Sequence, residues 1–444
     1  MTREETLDPA DWGQLRQLGH RMVDDMLDYL ERVRERPVWQ SVPAEVRGAL
    51  AAPLPLGPTD PAAVYDEFRR NILPYPTGNI HPRFWGWVMG TGTPLAMLAD
   101  MLASGMNSHV AGYDQSATLV EHQVIRWLAE LLGFPKDASG LLVSGGSMAN
   151  LIGLVVARNT GAGFDLRTHG LQHPDAPKLV FYGSSETHSW AGRAAELLGL
   201  GTSAFRRIPV TPEFTADLDA LKAALARDRR EGRRPFCVIG NAGTVNTGAT
   251  DDLRALAAFC RDEQLWFHVD GAFGALAALA PALKSVVAGM EEADSIAIDL
   301  HKWGYLPFEA GCVLVRDRKA HRESFATTAS YLDPIARGIV AGGLVFADLG
   351  IQLSRGFRAL KVWMALKTHG AEALGRLIEQ NVAQARYLCD LITGDPRLEP
   401  LRVAITNHRS RRKDFALLVD AVIRTGLQLI EESQARPLPA ATGR

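Results

Sequence analysis

The chain has 444 residues, of which 47% are apolar and 22% are charged, and its formal net charge is −2. This length predicts two or three lobes, and the near-neutral charge gives no electrostatic basis for binding nucleic acid or a membrane surface. The four cysteines have no CxxC spacing, no apolar run approaches 18 residues, and the first residues lack an apolar signal-peptide core. We therefore expect a cytoplasmic protein without disulfides, structural zinc or a membrane span.

The N-terminal segment predicts an amphipathic helix and a connector. Apolar residues recur at three- and four-residue steps over 12–35, and Pro37 ends that helix. Residues 42–62 are rich in Pro, Ala and Gly, which is typical of an extended connector. The helix either packs on the main body or forms an arm against another subunit, and we assign 1–85 to this region.

A strand, a glycine turn and a helix are predicted over residues 141–158, after two helices at 95–104 and 116–132. The turn Ser144-Gly145-Gly146-Ser147 would let backbone amides approach an anion, and the helix dipole would favour negative charge there. The motif is neither G-x-G-x-x-G nor a P-loop. Since Gly-Gly-Ser turns are common in ordinary loops, it indicates a phosphate site only if other residues converge on it.

Beyond residue 178, apolar strand-like runs alternate with helix-like segments, which predicts a largely parallel α/β sheet. In such sheets the ligand lies at the carboxyl ends of the strands, and polar residues follow these strands in the sequence. We assign 86–350 to this large domain and 351–444, which is mostly helical in pattern, to a small C-terminal domain.

Lys302 and Asp270 form the most informative pair, because each lies at the end of an apolar strand-like run. A lysine in apolar surroundings is partly desolvated and can act as an amine nucleophile, and an aspartate can hold a cationic ring nitrogen. A Schiff-base lysine with an aspartate partner is the protein's share of pyridoxal-phosphate chemistry. Almost all lysines are solvated, so Lys302 taken alone is typical of a surface lysine, and Asp270 taken alone could be a helix N-cap or a buried salt-bridge partner.

The motifs together resemble the group II pyridoxal-phosphate amino-acid decarboxylases, which include the aromatic amino-acid, histidine and glutamate decarboxylases. The matching segments are residues 144–150, His188, 268–272 and 299–303, and the resemblance runs from about residue 15 to 400. It implies pyridoxal-phosphate transferase fold type I, with a mostly parallel central sheet flanked by helices. It also implies a homodimer with interface active sites, pyridoxal 5′-phosphate as cofactor, and decarboxylation of an L-amino acid to its amine and CO2.

Roles for cofactor-binding residues follow from this resemblance. Lys302 would be the Schiff-base lysine and Asp270 would pair with the pyridinium nitrogen. Ala272 would lie against the ring, and His188 would stack on its face. The residues expected around the phosphate are Gly146, Ser147, His301 and, nearby, Asp299.

Further roles concern the substrate. Thr244 lies in a turn that approaches the cofactor, although the family often has a second threonine where this chain has Val245. Tyr331 falls where the family has a mobile-loop tyrosine that protonates the substrate carbon after CO2 leaves. The residues expected to form the substrate pocket are Trp85, Trp87, Val88 and Met89. The two tryptophans favour an aromatic or apolar substrate, but tryptophans also pack cores, and the particular amino acid is left open.

Three alternatives remain open. The family usually has several tens of residues between segments like 398–400 and 401–405, and these segments abut here. We therefore expect a shortened C-terminal lobe with exposed apolar helix faces. One alternative is thus a catalytically degenerate dimer. A second is another reaction on this fold, either aldehyde synthesis or transamination, and the presence of Tyr331 and His188 favours simple decarboxylation over it. A metal hydrolase is disfavoured because acidic ligands are missing beside its histidines, and we expect no metal.

Overall fold

Two units make up the computed structural model, which describes residues 5–327, 338–339, 345–399 and 402–435. The first unit comprises the residues up to Phe84 together with Arg409–Arg411. The second comprises Trp85–His408 and the residues from Arg412 onward. The predicted domain limits 1–85, 86–350 and 351–444 stay predictions.

The first unit is helical, with α1 at Trp12–Glu31, α2 at Ala44–Leu50 and α3 at Pro61–Asn71. Asp11 caps α1 by accepting hydrogen bonds from the backbone of the first turn, as N-cap aspartates do. The Tyr65 hydroxyl on α3 donates to Asp25 on α1 over 2.8 Å. The prediction of an extended connector over 42–62 is wrong at α2, because Ala44–Leu50 contains good helix formers and no proline.

The second unit is built on one seven-stranded sheet in the order β1-β7-β6-β5-β4-β2-β3. Neighbouring strands from β3 to β6 are parallel, whereas β7 is antiparallel to both β1 and β6. All residues of β1, β2, β6 and β7 are buried, as in sheets covered on both faces. The strands are β1 Ser139–Val143, β2 Leu179–Ser184, β3 Phe205–Ile208, β4 Arg234–Asn241, β5 Trp266–Gly271, β6 Ser295–Asp299 and β7 Gly311–Val315.

Helices cover this sheet, and α6 packs along β1, β4, β5, β6 and β7. The backbone of Gly370 is not helical (φ 74°), so α12 consists of two helical segments joined by a kink at this glycine. The helices are α4 Pro94–Met106, α5 Ser116–Leu131, α6 Gly146–Gly161, α7 Leu166–His169, α8 Trp190–Leu197, α9 Leu218–Arg230, α10 Leu253–Asp262, α11 Arg318–Phe325, α12 Ala359–Thr393 and α13 Arg412–Ala435. None of the helices in the described ranges is long and apolar enough to cross a membrane.

The open edge of β1 is closed by a buried ion pair. Glu121 on α5 accepts a hydrogen bond from the Leu142 N–H over 3.1 Å, and Arg355 donates to the Leu142 carbonyl over 2.7 Å. Arg355 also pairs with Glu121, and both side chains are almost fully buried. Because an edge strand otherwise leaves its outward N–H and C=O groups unpaired, this pair holds β1 directly before the glycine turn.

The C-terminal residues form a small apolar cluster. Within 351–399 and 402–435 the structure describes helices but no strand. The cluster contains Leu388, Ile392, Ile405, Phe415 and Val419. Several apolar side chains of α13 are exposed, namely Leu417, Leu427, Leu429 and Ile430.

Candidate active site

A cavity of about 610 Å³ lies at the carboxyl ends of the central strands, within the second unit. It is bordered by Asn241 at the end of β4, Asp270 on β5 and Asp299 at the end of β6. Most of the residues expected at a site from the sequence line this one cavity. They are Trp87, Val88, Gly146, Ser147, His188, Thr244, Asp270, Ala272, Asp299, His301 and Lys302.

Two expected site residues are described but do not line the cavity, and a third lies outside the described residues. Trp85 packs its ring against Phe415, with 5.2 Å between centroids, as part of the C-terminal apolar cluster. Met89 contributes its carbonyl oxygen, which accepts a hydrogen bond from the Thr406 hydroxyl over 2.6 Å. Tyr331 lies outside the residues that the structure describes.

The amine of Lys302 is held by Asp299, with 3.0 Å between Nζ and Oδ2. The other carboxylate oxygen of Asp299 accepts a hydrogen bond from the Gly146 N–H over 2.8 Å. Asp299 is therefore a buried link between the lysine amine and the glycine turn that opens α6.

His301 lies 3.3 Å from the same Asp299 oxygen through its Nε2. Burial lowers the pKa of His301, an effect that Asp299 opposes. Its Nδ1 accepts a hydrogen bond from the Ala310 N–H over 3.1 Å. Since a backbone N–H can only donate, a neutral His301 carries its proton on Nε2, directed at Asp299.

The glycine turn leaves space that only an absent side chain can provide. A Cβ atom on Gly146 would lie 2.8 Å from both the Asp299 carboxylate and the Ala272 side chain, and one on Gly145 would lie 3.1 Å from the His301 ring. The first N–H groups of a helix have no partner inside the helix and attract anions. The turn and Ser147 in the first turn of α6 therefore fit a phosphate group.

Asp270 is 8% exposed and is held on both of its oxygens. The indole Nε1–H of Trp190 donates to Oδ2 over 2.6 Å, and the Ala272 N–H donates to Oδ1 over 3.2 Å. An ionised carboxylate fixed in this way, in the same cavity as a lysine amine, fits the protonated nitrogen of a pyridine ring.

His188 lines the cavity and its Nδ1 accepts a hydrogen bond from the Trp190 N–H over 3.2 Å. Partial burial lowers the pKa of His188, and the charge of Asp270 opposes this. By contrast, His268 lies behind the cavity in the core, between Ser295 (2.8 Å) and Asn150 (2.7 Å), and burial lowers its pKa to about 4. Across the described ranges, no three His, Cys, Asp or Glu side chains are arranged to hold a metal ion.

Several cavity residues were not predicted from the sequence. Asn241 had a usable signal, since it is a polar residue at a strand's carboxyl end. Arg402 had none, because its guanidinium reaches the cavity from the far end of the chain and donates to the carbonyls of Gly86 (3.1 Å) and Val245 (2.5 Å). The others include Trp190, Phe273, Phe308 and Glu309.

Comparisons with known proteins identify the family to which the chain belongs. The family model described as the pyridoxal-dependent decarboxylase conserved domain matches residues 43–406. The aromatic-L-amino-acid decarboxylase of Bacillus atrophaeus is 36% identical over 380 residues, which cover 84% of this chain and 76% of the relative. Tryptophan decarboxylase 2 of Oryza sativa subsp. japonica is 30% identical over 410 residues, covering 89% and 80%.

Solved structures show the same fold. Tryptophan decarboxylase of Catharanthus roseus in complex with L-tryptophan has a TM-score of 0.78 at 26% identity, covering 90% of this chain and 84% of that one. The Oryza sativa TDC structure with PLP and tryptamine has a TM-score of 0.80 at 28% identity, with the same coverage. The predictions of fold class and cofactor are thereby confirmed. The chain belongs to the pyridoxal-dependent decarboxylase family and is a pyridoxal-phosphate-dependent amino-acid decarboxylase.

Proposed function

We propose that the substrate is an aromatic L-amino acid, which the enzyme converts to its amine and CO2. The observation that carries this proposal is the convergence of Lys302, Asp270 and the Gly145–Gly146 turn on one cavity. The same cavity has apolar wall residues suited to an aromatic side chain, namely Trp87, Val88, Phe273 and Phe308. Relatives named as tryptophan, tyrosine and aromatic-L-amino-acid decarboxylases support this choice of substrate.

When bound, pyridoxal phosphate supplies a protonated ring that withdraws electrons from the α-carbon. Lys302 provides the amine that anchors the cofactor, and Asp299 holds that amine in the cavity. Asp270 keeps a negative charge where the ring nitrogen requires a partner. His188 stays neutral because its pKa is lowered, so it can cover the ring face without repelling the ring cation. Ser147, in the first turn of α6, would bind the phosphate, next to Gly146, whose own N–H is held by Asp299.

Arg402 anchors the substrate carboxylate in this proposal. Its guanidinium lines the cavity and is fixed by the carbonyls of Gly86 and Val245. A guanidinium held in place presents donors with the planar geometry that a carboxylate accepts. Holding the carboxylate in one orientation relative to the ring is the effect on which selective loss of CO2 depends.

We also propose a cytoplasmic homodimer. Helices α4 and α5 expose large apolar side chains, and such surfaces favour association. The exposed residues are Met101, Leu102, Met106 and Leu119. The four cysteines are unpaired, as expected in a reducing compartment.

Sedimentation at micromolar concentration should give twice the chain mass, and Leu102→Glu should shift the measured mass towards that of the monomer. A wild-type monomer would contradict the dimer.

Aldehyde synthesis is the second candidate, because a phenylacetaldehyde synthase of Arabidopsis thaliana is 30% identical over 410 residues. That reaction would convert the amino acid, O2 and water to an aldehyde, CO2, ammonia and H2O2. Both reactions release CO2, so the other products distinguish them. Amine without H2O2 supports decarboxylation, and equal amounts of aldehyde and H2O2 support the alternative.

The decisive experiment incubates the holoenzyme with each of the twenty amino acids and measures CO2 and amine. We expect turnover to be highest with tryptophan, tyrosine or phenylalanine. Lys302→Ala is the matched control and should release none. Preference for an acidic or aliphatic amino acid would contradict the proposed substrate class, and absence of turnover with all twenty would favour the degenerate alternative.

A further inference from the structure

We propose that Trp190 is a positioning residue that fixes the carboxylate of Asp270 for the ring nitrogen of the cofactor. The inference deepens the proposed function, because it rests on the assignment of Asp270 as the partner of that nitrogen. Trp190 touches Asp270 through its side chain and acts on the reaction only through it.

The geometry joins Trp190 to two residues of the site. Its indole N–H donates to Asp270 Oδ2 over 2.6 Å, and its backbone N–H donates to His188 Nδ1 over 3.2 Å. The side chain is 4% exposed, and its ring meets the buried ring of His268 edge-on, with 5.9 Å between centroids. Trp190, at the start of α8, therefore binds both Asp270, the expected partner of the ring nitrogen, and His188, which is expected to stack on the ring face.

The two hydrogen bonds have separable effects. The backbone bond leaves Nδ1 of His188 as an acceptor, so a neutral His188 carries its proton on Nε2. The indole bond is charge-assisted, and such bonds are shorter and stronger than neutral ones, fix the orientation of the carboxylate, and stabilise its negative charge. Substituting the Trp190 side chain removes only the second bond, because every residue type except proline keeps the backbone N–H.

The ordinary explanation is that Trp190 merely fills the core, where it packs in a buried cluster with Phe181, Leu154 and Ala195. Filling the core does not require the indole nitrogen to meet a carboxylate in the cavity. If Trp190 only fills the core, losing the indole should lower stability and should affect ligands with and without the ring nitrogen equally. If Trp190 positions Asp270, losing the indole should weaken the binding only of a ligand that has the ring nitrogen.

Trp190→Phe keeps an aromatic ring and removes the indole donor. Trp266→Phe is the matched control, because Trp266 lies on β5 and donates its indole N–H over 2.8 Å to Ser295, which does not line the cavity. For both variants, equilibrium dialysis gives the Kd for pyridoxal phosphate and for an analogue in which CH replaces the ring nitrogen. Thermal unfolding without cofactor reports stability separately.

We expect Trp190→Phe to raise the Kd for pyridoxal phosphate by about 10-fold or more, because the Asp270 carboxylate then loses the fixed orientation in which it meets the ring nitrogen. The Kd for the CH analogue should stay within about two-fold, and Trp266→Phe should change neither. An equal loss of affinity for both ligands in Trp190→Phe, or an unchanged Kd for both, would overturn the inference. If Trp190→Phe does not fold, benzothienylalanine at position 190, in which sulfur replaces the indole N–H, gives the same comparison.

Asp270→Asn separates failure of this inference from failure of the proposed function. If this variant keeps the wild-type preference for pyridoxal phosphate over the CH analogue, Asp270 is not the partner of the ring nitrogen and the proposed role falls. If Asp270→Asn loses the preference while Trp190→Phe retains it fully, only the role of Trp190 is wrong.

Discussion

Replacing Arg355 with Met should destabilise the protein by about 3–5 kcal/mol at about pH 8, because it leaves the Glu121 carboxylate buried without its partner. The side chains of Arg355 and Glu121 are 1% and 0% exposed. Arg355 also donates to the carbonyls of Val110 over 2.6 Å and Leu142 over 2.7 Å. The substitution therefore leaves both a buried charge and two buried carbonyls with fewer partners.

The loss of stability should shrink as the pH falls, because Glu121 can then bind a proton. Burial already raises the pKa of Glu121 above 4.5, and Arg355 opposes that rise. Removing Arg355 raises the pKa further. A carboxyl group whose pKa is higher in the folded state than in the unfolded state stabilises the protein when it is protonated. This contribution is complete below the unfolded-state pKa, and it is lost as the pH rises through the folded-state pKa. Arg355→Met should therefore lie closer to the wild type at about pH 5 than at about pH 8.

Urea unfolding followed by circular dichroism measures the free energy of unfolding of the wild type and Arg355→Met at both pH values and at one protein concentration. The double variant Glu121→Gln with Arg355→Met removes both charges and should recover about half or more of the loss at about pH 8. A loss below about 1 kcal/mol, or a loss that does not change with pH, would refute the argument from a buried charge. Since the pair holds Leu142 in β1, Arg355→Met should also weaken cofactor binding at the glycine turn that follows.

Four further outcomes are expected. Lys302→Ala should abolish the visible absorbance of lysine-bound cofactor and the release of CO2, and a retained absorbance band would exclude Lys302 as the anchor. Arg402→Gln should raise KM about 10-fold, the effect of losing a hydrogen bond to a charged group, with Arg402→Lys intermediate; equal KM values would remove the carboxylate role. Tyr331→Phe should lower amine output and raise aldehyde and H2O2 at similar CO2 release, whereas unchanged amine output would count against a proton-donor role. Burial lowers the pKa of His321 from 6.5 to about 4. One pKa unit corresponds to about 1.4 kcal/mol, so this shift corresponds to about 3 kcal/mol of stability. That stability is fully present above pH 6.5 and should be lost as the pH falls towards about 4. In urea titrations, His321→Gln should make the free energy of unfolding depend less on pH over this range.

The placement of Lys302 and Asp270 in one cavity could be predicted because it follows from strand order and length. Strands β5 and β6 are parallel neighbours, with Asp270 opposite Ala297, so residues that end these strands lie at one edge of the sheet. A pattern of apolar runs is sufficient to locate such strand ends. The glycine turn lines the same cavity as Lys302 and Asp270, because it follows the carboxyl end of β1.

The direction of β7 was not predicted, although the sequence contained a signal. Only residues 300–310 connect β6 to β7, and no helix lies between them. A parallel crossover needs about a dozen or more residues and usually a helix, so this short connection requires an antiparallel pair. The contribution of Arg402 had no comparable signal, since it depends on contacts with Gly86 and Val245, both far away in sequence.

The position of Arg402 also bears on the predicted shortening of the C-terminal lobe. The segment that follows it is held by the chain next to the cavity: the Ala404 N–H donates to the Trp85 carbonyl over 3.1 Å, and the Thr406 hydroxyl donates to the Met89 carbonyl over 2.6 Å. These bonds link residues 402–406 directly to 85–89, so this wall of the cavity forms without a second sheet among the described residues. The exposed apolar side chains of this region lie instead on α13. We therefore expect the shortening to lower stability and solubility more than it lowers the affinity for cofactor.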